Sequence, residues 1–234
     1  MSDTITIISL PHLALSLLPV LVVLVIQYKW ALDYKEGGYA MLRMLGQLLV
    51  IGYVLGFIFA AEQSWIILAV LAIMLVASSW ISLRTVKAKR RALLGKAFLS
   101  ILIGGGLVLA LTTQGVLRLS PWYKPQFTVP LAGMIFAGAM NAISLAADRY
   151  FDEIERGQSS VHARRVAFNT ALIPMTNALF AVGLVSLPGM MTGQILSGVD
   201  PLIAVRYQIM VMAMLYSTVG LSAAMFLTLI TRES

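Results

Sequence analysis

The stretch SLPGMMTGQILSG, Ser186 to Gly198, places two thioethers, Met190 and Met191, beside Thr192 and Gln194 between two long apolar segments. Thioethers are soft donors, suited to weak contacts with metals or with apolar ligands. Upstream, Met134, Gly138, Asn141, Leu145 and Asp148 recur at three- and four-residue intervals, which stacks them on one side of a helix. Two readings of that stripe stand: an interhelical hydrogen bond from Asn141 with Asp148 at the interface, or a soft, polar lining of a substrate route. Gln47 sits one turn from Arg43, and a buried amide needs partners. Asn177 follows Pro174 in the segment that leads into the quoted stretch. Tyr207, Met210, Met214 and Ser217 form a similar face near the C-terminus, read as core rather than conduit.

Catalytic signatures are missing. There is no G-x-x-x-x-G-K-S/T nucleotide loop, no G-x-G-x-x-G, no H-E-x-x-H and no G-x-S-x-G. The chain has no cysteine, which excludes disulfides, thiolate zinc sites and iron–sulfur ligation. His12 and His162 fall at the outer edge of the first span and in a cytoplasmic loop, so no shared metal site is expected. A lone charge at membrane depth costs about 2.5 to 3.5 kcal/mol on insertion scales. No ionisable pair occurs there: Glu62, Asp148 and Asp200 fall at span ends. The expectation is a chain that is not an enzyme and binds no cofactor.

The elements that position these residues follow from composition. The 234 residues are 59% hydrophobic and 12% charged, with mean hydropathy +0.89, whereas soluble domains carry roughly 25% charged residues. Apolar stretches near the roughly 20 residues needed to cross the hydrocarbon recur along the whole length. They predict an all-α, polytopic transmembrane bundle with seven spans near 11–28, 41–61, 65–83, 96–116, 127–147, 171–188 and 203–230, forming one domain over residues 1–234. The N-terminal region lacks a signal peptide's basic start and cleavage site, so the first span is read as retained.

Net charge is +7. In a membrane chain that points to loop placement, not to nucleic acid. Of the 17 basic residues, only Arg118, Lys124 and Arg206 fall on one side of the seven-span arrangement. The other side holds Lys29, Lys35, Arg43, Arg84, Lys87, Lys89, Arg90, Arg91, Lys96, Arg149, Arg156, Arg164, Arg165 and Arg232. Because basic residues stay cytoplasmic, the N-terminus is expected outside and the C-terminus inside. In the second span, Gly52 and Gly56 have the small-x-x-x-small spacing that lets helices approach closely. Irregular backbone is not tolerated against lipid, so the Pro-Gly break at residues 186–198 is either an outer-surface turn or the lining of a protein-enclosed cavity.

The run GLVSLPGMMTGQILSGVDPLIAVRYQIMVM, Gly183 to Met212, resembles the hallmark of FetB-like ABC transporter permeases, a family that includes bacterial iron exporters and plant aluminium-tolerance permeases. The resemblance extends to Arg43 with QLLVIGYVLGFIF (47–59), to KAFLS (96–100), to PLAGMIFAGAMNAISLA (130–146) and to ALIP (171–174), and so covers most of the chain from about residue 43 to 230. It implies a homodimeric permease of the bacterial inner membrane working by alternating access, with ATP and Mg on a separate ABC ATP-binding subunit. The substrate route it implies runs by Gln47, Met134, Asn141, Asn177, Met190, Met191 and Gln194. The resemblance also makes the cytoplasmic segment Tyr150 to Phe168, with Glu153, Glu155, Arg156, Arg164 and Arg165, the docking element for the ATPase. This chain departs from the family there: its loop is shorter and lacks the usual Leu-Gly-Ala turn before ALIP. Coupling then runs through a compact helix over Glu153 to Arg165, or through the basic loop Arg84 to Lys96, or has been lost. Iron or another metal is the implied cargo. The alternatives are an organic or sugar-linked amphiphile, and an ATP-independent scaffold or channel with the same fold.

Overall fold

The computed structural model describes residues 8–60 and 63–232, so Glu62 lies outside the described residues. The described residues are helical almost throughout, with one isolated β-bridge between Val182 and Ser186. The chain divides into two compact units, one ending at Ile58 and the other starting at Phe59.

The first unit holds α1 (Leu10–Leu15), α2 (Leu18–Lys29) and most of α3 (Tyr34–Phe59). α3 starts earlier than the expected span at 41. Asp33 explains the earlier start, since its Oδ1 accepts the Glu36 N–H at 3.2 Å and so satisfies a donor the helix leaves open. Ala31, at φ 56, reverses the chain between α2 and α3. Gly37 keeps the two close: a Cβ there would lie 3.0 Å from Gln27 Oε1. No residue of α1 or α2 is buried.

The second unit comprises α4 (Ser64–Ser82), a rod over Lys87–Val116, α7 (Pro125–Glu155), α8 (Ser160–Ala181), α9 (Gly189–Leu196) and α10 (Pro201–Thr231). α5 (Arg90–Ser100) and α6 (Gly106–Ala110) lie within the rod, joined and followed by π-helical turns at Ile101–Gly105 and Leu111–Val116. Hydroxyl groups accompany both turns. Ser100 Oγ donates to the Lys96 carbonyl at 2.7 Å and Thr113 Oγ1 to the Leu109 carbonyl at 2.9 Å. Each takes the carbonyl four residues back, competing with the α-helical ladder and widening the next turn.

α7 is the central helix, and α4, α8 and α10 pack on it. Small residues permit the approach. Ala132, Ala139, Ala142 and Ala146 of α7, Ala163, Ala167 and Ala171 of α8, and Ala223 of α10 are all buried. Without a hydrophobic driving force between helices in lipid, this kind of close backbone contact is what holds them together. At Gly52 and Gly56, the glycines expected to do this, an added Cβ would meet nothing within 4 Å beyond its own helix backbone; the tightest glycine positions are Gly104 and Gly105 in the first π turn.

Among the described residues, six helices are long and apolar enough to cross a membrane: Leu10–Lys29, Tyr34–Phe59, Ser64–Ser82, Lys87–Val116, Pro125–Glu155 and Pro201–Thr231. The expected span at 171–188 is replaced by α8. It starts at Ser160 and leaves the helix at Val182, whose φ −62 and ψ 128 are extended. Pro174 therefore sits inside a helix and does not begin one. α8 has 22 residues, enough for ~33 Å, but Arg164 and Arg165 near its start keep it off the apolar group.

Asp200 caps α10, its Oδ1 accepting the N–H groups of Leu202 at 2.8 Å and Ile203 at 3.3 Å, with Pro201 at the first helical position. Asp200→Ala is expected to lower stability by about 1 kcal/mol, read as a reduced midpoint in detergent thermal unfolding. Asp200→Asn should retain most of the lost stability.

Candidate substrate route

The break that follows α8 is mostly helical. Gly183, at φ +83, turns the chain, and its N–H donates to the Ser186 carbonyl at 3.0 Å. Pro188 then opens α9, whose eight residues include both methionines. Gly198, at φ +88, ends the segment ahead of the α10 cap. The expected irregular stretch at 186–198 is thus a short helix between two glycine turns.

Successive residues on a helix point about 100° apart, and α9 uses this to send its methionines into different cavities. Met190 enters a cavity of about 240 Å³ with Met134, Tyr207, Met210, Gln126 and Phe127. Met191 lines a second cavity of about 520 Å³ with Leu179, Leu187, Gln208, Met212 and Tyr216. Three thioethers thus share the first cavity, and two share the second with a glutamine. Gln208 is 5% exposed, and its Oε1 has no hydrogen-bond partner. Gln194, also on α9, has a buried Oε1 without a partner.

Of the expected route residues, Met134 and Met190 come together, and Met191 and Gln194 share α9 with Met190. Asn141 on α7 and Asn177 on α8 are exposed. Counted from the turn between α7 and α8, they lie ~21 Å and ~26 Å along their axes, hence at similar depth. Gln47 is exposed on α3, in the first unit. The α10 face read as core is split: Tyr207 and Met210 line the first cavity, while Met214 is buried. Gln208 was missed, although an amide in the long apolar run after Pro201 was a visible signal. Among the described residues, no group of three His, Cys, Asp or Glu could hold a metal ion.

At the other end of α7 the expected loop Tyr150 to Phe168 is the tip of a helical hairpin. α7 runs to Glu155, and Ser159 Oγ accepts the His162 N–H at 3.3 Å to start α8. Glu153 is only 5% exposed. Arg149 Nη2 lies 2.6 Å from its carboxylate, with Arg156 and His162 each at 3.9 Å. Asp152 pairs with Arg149 at 3.2 Å and with Arg156 at 3.0 Å. Glu155 is exposed. The basic loop meets the same region: Lys89 Nζ stands 3.8 Å over the Phe151 ring, and Arg90 stacks 3.7 Å over Trp80. The two alternative coupling elements therefore adjoin each other. Arg164 and Arg165 stand apart, lining a pocket of about 190 Å³ with Phe168 and Leu227.

The family model described as uncharacterised protein family UPF0014 matches residues 10–234. The UPF0014 membrane protein slr1647 of Synechocystis is 36% identical over 77% of this chain and 75% of its own length. The probable iron export permease protein FetB of Escherichia coli is 33% identical over 90% of this chain and 86% of its own. Protein ALUMINUM SENSITIVE 3 of Arabidopsis thaliana is 33% identical over 90% of this chain and 81% of its own. No solved structure matches. Likeness that runs from α1 through α10, with the cavity-forming helices included, makes this chain a multi-pass membrane protein of the UPF0014 family.

Proposed function

We propose that the chain is the membrane-spanning permease subunit of an ABC exporter of the bacterial inner membrane, working by alternating access with a separate ATP-hydrolysing subunit that carries ATP and Mg. The observation that carries this reading is α9, which extends one methionine into each of two cavities. A short helix bounded by Gly183 and Gly198 can tilt at its glycine turns and exchange those contacts, and two discrete arrangements are what alternating access requires. The name of the Escherichia coli relative, a probable iron export permease, supports an exported cargo, iron. In this reading α8 is a seventh crossing, the N-terminus lies outside and the C-terminus inside. The chain has no catalytic chemistry of its own.

A homodimer fits the exposed amides. Asn141 and Asn177 lie at similar depth, where lipid contact is costly and a second copy or a shared aqueous path is not. Within the first unit, α1 and α2 have no buried residue, and a Cβ added at Gly52 or Gly56 meets nothing within 4 Å, so that unit offers uncovered surface of its own to a second copy. The hairpin tip at Glu153, Glu155 and Arg156 docks the ATPase, with the adjoining Lys89 and Arg90 behind it.

Met190→Ala combined with Met191→Ala is expected to abolish most export-dependent metal tolerance in cells while membrane abundance stays normal. Unchanged tolerance at normal expression removes both thioethers from the mechanism. One observation favours a second cargo, an organic amphiphile: the larger cavity is apolar around a single unpartnered amide, Gln208. ATPase activity of the reconstituted complex against metals and amphiphiles separates the two. Stimulation by an amphiphile alone assigns the organic cargo, and a chain that neither co-purifies with nor stimulates an ATPase is a scaffold or channel.

A further inference from the structure

We infer that Arg164 and Arg165 form a binding site for the phosphate of an anionic phospholipid, at the end of the bundle that holds the α7–α8 turn. Both arginines line the 190 Å³ pocket between α8 and α10, whose other walls are Phe168, Ala224, Leu227 and Thr228. No carboxylate borders it.

The neighbouring cations are already engaged. Arg149 and Arg156 pair with Asp152 and Glu153, Lys89 covers Phe151, and Arg90 covers Trp80. The side chains of Arg164 and Arg165 make no ion pair or hydrogen bond with any described residue. The remaining polar group, Thr228 Oγ1, donates its proton to the Ala224 carbonyl at 2.7 Å, which leaves the arginines as the pocket's free donors. Two uncompensated guanidiniums present planar, multi-donor groups that match phosphate oxygens.

Depth selects a lipid over a soluble anion. Arg164 and Arg165 lie ~6 to 8 Å along the axis from the start of α8, and Thr228 ~5 Å from the end of α10. That is the level of the headgroups when both helices cross a bilayer. Phe168, Ala224 and Leu227 extend from the arginines toward the bundle centre as an apolar wall for the upper acyl chain. Basic pockets between transmembrane helices on the cytoplasmic side are suited to acidic lipid headgroups, and the basic-residue asymmetry of this chain faces the same leaflet.

The test uses the purified full chain in a neutral detergent, titrated with phosphatidylglycerol or phosphatidylcholine, with retained lipid counted by native mass spectrometry. The wild-type chain should prefer phosphatidylglycerol, and Arg164→Gln with Arg165→Gln should reduce that preference on the order of tenfold. Arg91→Gln with Arg232→Gln removes the same charge from exposed positions and should leave the preference unchanged. Ala224→Phe fills the pocket with both arginines intact and should also abolish the preference; it decides the matter if the double glutamine variant does not fold. Retention of the preference in Ala224→Phe, or its equal loss in the Arg91 and Arg232 control, overturns the site. Displacement of phosphatidylglycerol by millimolar inorganic phosphate assigns a soluble anion instead, which also overturns it. None of these outcomes depends on transport, so the permease reading stands or falls separately.

Discussion

Gly104→Val is expected to eliminate most of the folded protein. A Cβ on Gly104 would stand 2.7 Å from Ser222 Oγ, 2.9 Å from the Ser222 backbone nitrogen and 3.1 Å from its Cα. A flexible side chain can rotate away from such a contact, but two of these atoms are backbone of a 31-residue helix. Either α10 moves as a body or the π turn at Ile101–Gly105 unwinds. Overpacking that forces backbone shifts costs about 1 to 3 kcal/mol, occasionally more. Alanine should therefore fall within that range and valine at its upper end or beyond. Gly106 supplies the control from the same rod. It is helical at φ −63, and a Cβ there meets nothing within 4 Å, so Gly106→Ala should be neutral or stabilising by about 0.5 kcal/mol through backbone entropy. Detergent thermal unfolding and monodisperse yield read both. Equal behaviour of the Gly104 and Gly106 variants would contradict the close approach of the rod to α10.

The second large effect is expected at Glu153. Its carboxylate is buried at the hairpin tip with Arg149 at 2.6 Å, and removing one member of a buried pair costs about 3 to 5 kcal/mol. Arg149 is 35% exposed and keeps Asp152 at 3.2 Å, so Glu153→Ala belongs at or below the lower end, about 2 to 3 kcal/mol. Glu153→Gln keeps an acceptor oxygen and the volume, and should cost less. Asp152→Asn acts on a side chain 43% exposed and should change stability by less than about 1 kcal/mol. The order Ala, then Gln, then Asp152→Asn in thermal unfolding checks the burial. If the tip docks an ATPase, Glu153→Gln should also lower ATPase stimulation by the reconstituted permease more than its small stability loss accounts for.

These effects show where reading along the chain succeeds. The apolar segments at 11–28, 41–61, 65–83, 96–116, 127–147 and 203–230 reappear as helices of matching position because hydrophobic content and length are local properties. The bounds of the segment at 171–188 shifted for a local reason too. Greasy residues continue past Ala181, yet Gly183 and Pro188 redirect the backbone, and the helix extends instead through the charged residues Arg164 and Arg165 toward Ser160. Apolar content marked where oil would be tolerated and not where the helix began. The residues of the break were read as irregular backbone, and most of them are the helix α9.

By itself, then, the amino-acid sequence determined the solvent of this protein, its helical class and the methionine-rich segment near Pro188. Each of these sums over neighbouring residues and needs no knowledge of which helices meet. The tertiary structure alone decided that Gly104 touches α10 while Gly52 and Gly56 with the favoured spacing touch nothing, that Met190 and Met191 part into separate cavities, and that Glu153 is enclosed by cations while Arg164 and Arg165 have none of the carboxylates. Apart from the Glu153 pairs, whose partners Arg149, Arg156 and His162 share its hairpin tip, those outcomes depend on distances between residues tens to more than a hundred positions apart, set by how whole helices pack, and pattern within a segment carries no information about its distant partner.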